Sequence, residues 1–183
     1  MAVRALKVVP VDDATLVERV RCGDEAAFTQ LYQRHARYLA GVVYRVMGHG
    51  NELEDVLQDT FADALRDIAQ LRDPAHIRPW LVTIAVRRTH RALRARRRRL
   101  WFGLRVAEVS PQCSDPEVGR RAHELYDALD RLPADVRIPW VLHRIEDETL
   151  PSVAAACEVS LATVKRRIAR GDELLNRRLD AAR

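Results

Sequence analysis

The chain has 183 residues, with 31 Lys+Arg against 26 Asp+Glu, a formal net charge of +5, 48% hydrophobic residues and only 5% aromatic ones. That length accommodates one ordinary domain or two small ones, and the balance of apolar and charged residues excludes wholesale disorder while demanding a core of Leu, Val, Ile and Ala. No apolar run approaches the ~20 residues of a membrane helix, no signal-peptide pattern opens the chain, and Cys22, Cys113 and Cys157 form no CxxC pair, which excludes a disulfide scaffold and suits a reducing cytoplasm.

The hydrophobic period is helical throughout. A short amphipathic piece over 15–20 ends near Gly23. Asp24 then caps a long helix to about Met47, in which Phe28, Leu31, Tyr32, His35, Leu39, Val42 and Val46 recur at steps of three and four; Gly48 and Gly50 end it. His35, on that apolar face, reads as a packing residue. Asn51 with Glu54 three residues on is a capping-box pattern. The helix it opens carries Leu53, Val56, Leu57, Phe61, Ala64, Leu65 and Ile68 on one face and Asp55, Gln58, Asp59, Ala62 and Asp63 on the other. A loop over 72–78, punctuated by Pro74 and Pro79, precedes a helix predicted from Trp80 to about Arg99, apolar at first and then nearly all arginine. Residues 100–116 break the period with Gly103, Pro111 and Pro116 and read as a linker. A second helical block starts at Val118, with Leu125, Leu129 and Leu132 on one face and Pro133 suited to the first turn of the next helix, where Pro139 should introduce a kink. The expected architecture is all-α: two small helical domains, 12–99 and 118–183, joined by a linker at 100–117.

Charge is segregated along this plan. Residues 12–73 hold 12 acidic and 7 basic side chains, whereas residues 87–117 hold 9 arginines and 3 acids. An acidic front and a basic middle point to two different partners, with a polyanion at the middle. Arg87, Arg88, Arg91, Arg94 and the run 96–99 have no acid near them in sequence to neutralise them. The acidic face at Asp55, Gln58 and Asp59 would repel nucleic acid and fits a basic protein partner. Trp80 is either an aromatic that stacks on bases or a buried anchor for the apolar run it opens.

The end of the chain spells a helix-turn-helix: a short helix over 150–157, the turn Glu158-Val159-Ser160, and a longer helix from Leu161 to about Arg178. Val153, Ala154, Cys157, Val159, Val164 and Ile168 fall where the motif needs small or apolar residues, so Cys157 reads as core rather than as a reactive thiol. Ser160 is the expected N-cap of the second helix. With Val164, Ile168 and Leu175 turned inward, Lys165, Arg166, Ala169 and Arg170 face outward, where arginines can reach guanine edges and phosphates. The six histidines lack metal-ligand spacing, and neither a nucleophile elbow nor a phosphate-binding glycine loop occurs, so neither an enzyme nor a metal or cofactor is expected.

With these motifs in order, the chain resembles an extracytoplasmic-function (ECF) sigma factor. Glu52-Leu53-Glu54-Asp55-Val56-Leu57-Gln58-Asp59-Thr60-Phe61 matches that family's polymerase-binding segment, Trp80-Leu81-Val82-Thr83-Ile84-Ala85-Val86-Arg87 its promoter-melting segment, and the stretch from Val153 to Arg167 its terminal helix-turn-helix motif. The resemblance implies sigma domains two and four. Glu54, Asp55, Gln58 and Asp59 would dock on the clamp helices of the polymerase β′ subunit, and domain four would meet the β flap. His76, Arg78, Trp80, Arg87, Arg88 and Arg91 would bind and help open the −10 element. Ser160, Thr163, Lys165, Arg166, Ala169 and Arg170 would read the −35 element. It further implies a cytoplasmic protein, monomeric when free, whose partners are core RNA polymerase, promoter DNA and an anti-sigma factor. Four positions depart from the family pattern: Arg87 stands where Asn is usual, Thr83 where Arg is usual, Glu158 where the turn usually has Gly, and Pro139 inside a helix that is normally unbroken. The alternative is a stand-alone helix-turn-helix regulator, which has no reason to carry the acidic docking segment.

Overall fold

The structure is a computed structural model and describes residues 11–48, 52–101 and 124–181. Its helices in chain order are α1 (Asp13–Arg21), α2 (Glu25–Met47), α3 (Leu53–Asp67), α4 (Ile77–Trp101), α5 (described over 124–130), α6 (Ala134–Arg144), α7 (Leu150–Cys157) and α8 (Leu161–Ala181), with 3₁₀ turns at Ile68–Gln70 and Pro74–His76. Strands are absent among the described residues.

The helix starts follow from local chemistry. Asp12 accepts from the Thr15 amide at 2.7 Å and Asp24 from the Ala27 amide at 3.0 Å, each satisfying an amide that the first turn leaves without a partner. Those amides hold both carboxyls below the usual aspartate range. Gly48 ends α2 with φ 81°, a conformation that costs a residue with a Cβ about 1–2 kcal/mol. Two starts differ from the sequence reading. α3 begins at Leu53 with Glu52 in the cap position and no side-chain cap bond, so the Asn51–Glu54 box is out of register; Asn51 itself lies outside the described residues. α4 begins at Ile77 rather than Trp80, because Pro79 falls in its first turn, where proline's missing N–H has no intrahelical partner to lose. Pro133 occupies the cap position of α6, and that helix runs uninterrupted through Pro139. Leu100 and Trp101 belong to α4; the rest of the predicted linker and Val118 lie outside the described residues.

Helices α1–α4 bury Leu16, Val17, Leu39, Val42, Phe61, Ile77, Leu81 and Ala85, while α5–α8 bury Leu129, Val136, Val141, Val153, Val164 and Ile168. At about 1.5–3 kcal/mol for each large aliphatic side chain taken out of water, these side chains dominate what holds each block together. His35 is buried among them, with Nε2 3.2 Å from Asp13 Oδ2, and burial lowers its pKa. Leu65, assigned to the apolar face, is instead exposed, and Asp63, assigned to the polar face, is buried. The two blocks also pack on each other: α2 and α4 meet α6, and α4 meets α7.

Candidate nucleic-acid and protein interfaces

In the helix-turn-helix, α7 is capped by Thr149, whose hydroxyl accepts from the Ser152 amide at 3.3 Å. It ends at Glu158, whose backbone is left-handed at φ 54° and ψ 42°. A glutamate held there costs of order 1 kcal/mol relative to glycine. Ser160 caps α8 by accepting from the Thr163 amide at 3.2 Å, and the two hydroxyls lie 2.9 Å apart. Val164, Ile168 and Leu175 are buried, at steps of four and seven. That spacing turns Lys165, Arg166, Ala169 and Arg170 to solvent. Arg170 holds only a surface pair with Glu173 at 3.2 Å, worth little against a phosphate or a base edge. Against the other side of α8, Trp140 donates from Nε1 to Asp172 at 2.8 Å and Arg144 pairs with the same carboxylate at 2.7 Å. The helix is therefore clamped from behind and open in front. Cys157 is half-buried, and desolvation pushes its thiol up to about 11, which fits the packing role and leaves little thiolate near neutrality.

On α3, Glu54, Asp55, Gln58 and Asp59 are all exposed. Asp63, one turn further on, accepts from both Arg88 and Arg66, and the Arg88 guanidinium beside it holds its carboxyl below the usual range. Arg88 spends all three guanidinium nitrogens here: Nε and Nη2 donate to Asp63, and Nη1 donates to Asp59 at 2.9 Å. It ties α4 to α3 behind the acidic face rather than standing free.

The remaining α4 candidates divide similarly. Arg87 and Arg91 are exposed, and with Arg94 and Arg98 they step by four, three and four residues, one basic stripe along the helix. Arg87 is paired with Glu158. Arg96 and Arg99, by contrast, find acids that the sequence places far away: Arg96 reaches Asp130 at 3.4 Å and Arg99 pairs with Glu52. His76 is exposed, with Nδ1 2.7 Å from Asp73 Oδ2. Arg78 lays its guanidinium 3.9 Å from the centre of the Tyr38 ring. Trp80 is half-buried against the core, which favours the anchor reading. Sequence reasoning missed Arg45, which pairs with Glu146, because the partner is 101 residues away. No cluster of metal-binding side chains, and no helix long and apolar enough to cross a membrane, occurs among the described residues.

Comparison with known proteins gives consistent results. Residues 31–99 match the sigma-70 region 2 family and residues 122–172 the sigma-70 region 4 family. The RNA polymerase sigma factor CarQ of Myxococcus xanthus is 33% identical over 164 residues, covering 87% of this chain and 92% of that one. The ECF RNA polymerase sigma-E factor of Haemophilus influenzae is 29% identical over 180 residues, covering 91% and 95%. Among solved structures, CnrH in complex with the cytosolic domain of CnrY superposes with a TM-score of 0.66 at 27% identity, covering 92% of this chain and 97% of that one. The sigma factor RpoE in complex with the anti-sigma factor NepR from Bartonella quintana superposes with a TM-score of 0.67 at 22% identity, covering 85% and 98%, and shows the shared fold.

Proposed function

The chain belongs to the ECF sigma factors, which direct core RNA polymerase to chosen promoters, and on that premise we propose how its surfaces divide the work. The family is not an enzyme class, so bond-making stays with the polymerase. Domain two, residues 12–99, docks on core polymerase through Glu54, Asp55, Gln58 and Asp59. These four side chains, three of them carboxylates, share one exposed face, and a basic protein surface complements it. The stripe of Arg87 and Arg91, with His76 and Arg78 near the start of α4, takes the −10 element, and Trp80 acts in this scheme by anchoring that helix in the core. Arg88 acts in this scheme by bracing that face through Asp59 and Asp63. Domain four, residues 118–183, reads the −35 element with Ser160, Thr163, Lys165, Arg166, Ala169 and Arg170.

The observation that carries this division is the presence, on one chain, of an outward acidic face and an outward basic reading helix. A stand-alone regulator needs only the second. The solved relative bound to NepR carries an anti-sigma factor, and by that likeness we assign this chain a dedicated inhibitory protein partner in the cytoplasm. Transcription in vitro with core polymerase on a promoter library tests the whole reading. Specific start sites should require both the chain and core enzyme. Equal duplex binding by the chain alone, with no stimulated initiation, would refute it.

A further inference from the structure

Two of the positions at which this chain departs from the family pattern, Arg87 and Glu158, touch each other. Arg87 sits on α4 in the promoter-melting segment, and Glu158 is the turn residue of the helix-turn-helix; their side chains form an ion pair across the boundary between the two domains. Glu158 does so from a left-handed backbone that glycine would occupy without strain. The pair is one of a set. Arg45 on α2 pairs through two nitrogens with Glu146, whose side chain is only 6% exposed. Arg96 reaches Asp130, and Asp130 also pairs with the buried Arg137 of α6. In each of the three pairs that cross the boundary, Arg87–Glu158, Arg45–Glu146 and Arg96–Asp130, domain two supplies the cation and domain four the carboxylate. Tyr38 adds its hydroxyl to Glu148 at 3.3 Å, and Tyr44 packs edge-on against Tyr126 with ring centres 6.1 Å apart.

Packed in this way the molecule cannot serve a promoter. A compact chain of this length is about 40 Å across. The −10 and −35 elements are about 25 base pairs apart, roughly 85 Å along duplex DNA. The −10 candidate Arg87 is moreover already spent on Glu158. We propose that the free protein is held in a closed state by this interdomain latch, and that it must open for both promoter elements to be engaged. The latch carries its own release. Arg137 is buried with Nε and Nη2 unpartnered, and one of those nitrogens lies 2.8 Å from where a Cβ on Gly48 would be, so it faces the end of α2 across the interface. Separation of the domains rehydrates it. Closure is thus favoured by ion pairs and opposed by an arginine that lacks donors' partners only while closed.

The latch proposal rests on the sigma reading, and its test separates the two. Small-angle scattering on the full chain in 0.1 M salt should give a radius of gyration near the ~16 Å of a compact 183-residue protein. The radius should rise by about a quarter or more in 1 M salt, where the screening length falls to about 3 Å. Glu158→Gly combined with Glu146→Gln should be expanded already at 0.1 M. Glu158→Gly relieves backbone strain, and circular dichroism should show undiminished helix. Glu173→Gln, which removes a surface pair outside the boundary, should stay compact. In transcription at limiting protein, the double variant should reach half-maximal activity at about three- to tenfold lower concentration, because a larger fraction of it is competent. An expanded wild type at 0.1 M, a wild type compact in 1 M salt, or a double variant as compact as the wild type would each overturn the latch. Failure of the wild type to initiate with core polymerase would overturn the sigma reading and leave the scattering result standing.

Discussion

Replacing Asp63 by Asn isolates the ion pair that braces the acidic face. The change keeps the side chain's size and removes the charge that Arg88 and Arg66 address. Asp63 is 12% exposed in its side chain and Arg88 23%, so the pair lies between two limits: exposed pairs contribute about 0–1 kcal/mol, and breaking a fully buried pair costs about 3–5. Arg88 keeps its bond to Asp59 and some access to water, which brings the expected cost to about 2 kcal/mol. For a protein of this size that is about 4–8 °C in melting temperature. The pH dependence carries a sign. The folded state holds the Asp63 carboxyl below its ordinary value of 3.8, so the contribution is present above that value and is lost as pH falls through the folded one. Differential scanning calorimetry of wild type and Asp63→Asn should therefore show the full gap at pH 7 and pH 5 and a narrowing one below about pH 4. A gap under about 1 °C at pH 7, or one unchanged down to pH 3, would refute the assignment.

Other outcomes follow from the same geometry. Asp55→Ala with Gln58→Ala, both at exposed positions, should weaken capture of core polymerase in a pull-down while leaving the melting temperature within about 1 °C. On single-base variants of a −35 element, Arg166→Ala or Arg170→Ala should relax preference at one position by about 1–3 kcal/mol, whereas Lys165→Ala should weaken all variants alike and lower the salt slope by about one unit. Iodoacetamide at pH 8, followed by peptide mass spectrometry, should label exposed Cys22 well before Cys157, whose thiol is raised to about 11. Comparable rates at the two sites would show that Cys157 is not packed as described.

The helical fold was legible because its signals are local. Asp24 and Gly48 mark α2 at both ends, and the helix-turn-helix reads off α7, the turn and Ser160 almost to the residue, since a cap or a left-handed turn depends on a few neighbouring side chains. Outward basic residues on α8 follow from the positions of Val164 and Ile168 by the same period. One local signal misread, the Asn51–Glu54 box, because α3 starts one residue later than that box requires; the larger misreading was non-local. Leu65 and Asp63 exchanged places on α3, because Arg88, 25 residues further along, makes burial of a carboxylate favourable where periodicity predicts solvent.

The sequence by itself thus determined the all-α fold and most of the helix limits and caps. All of these follow from rules that act within about a dozen residues. Tertiary structure decided which charges are available. Arg88, Arg96 and Arg99 look alike along the chain, yet each is matched to a carboxylate 25–47 residues away, while Arg91 is left exposed. Arg87 and Glu158, separated by 71 residues, became partners only because α4 packs against α7. An ion pair forms where the fold brings opposite charges within a few ångström, and no spacing along the chain encodes that distance.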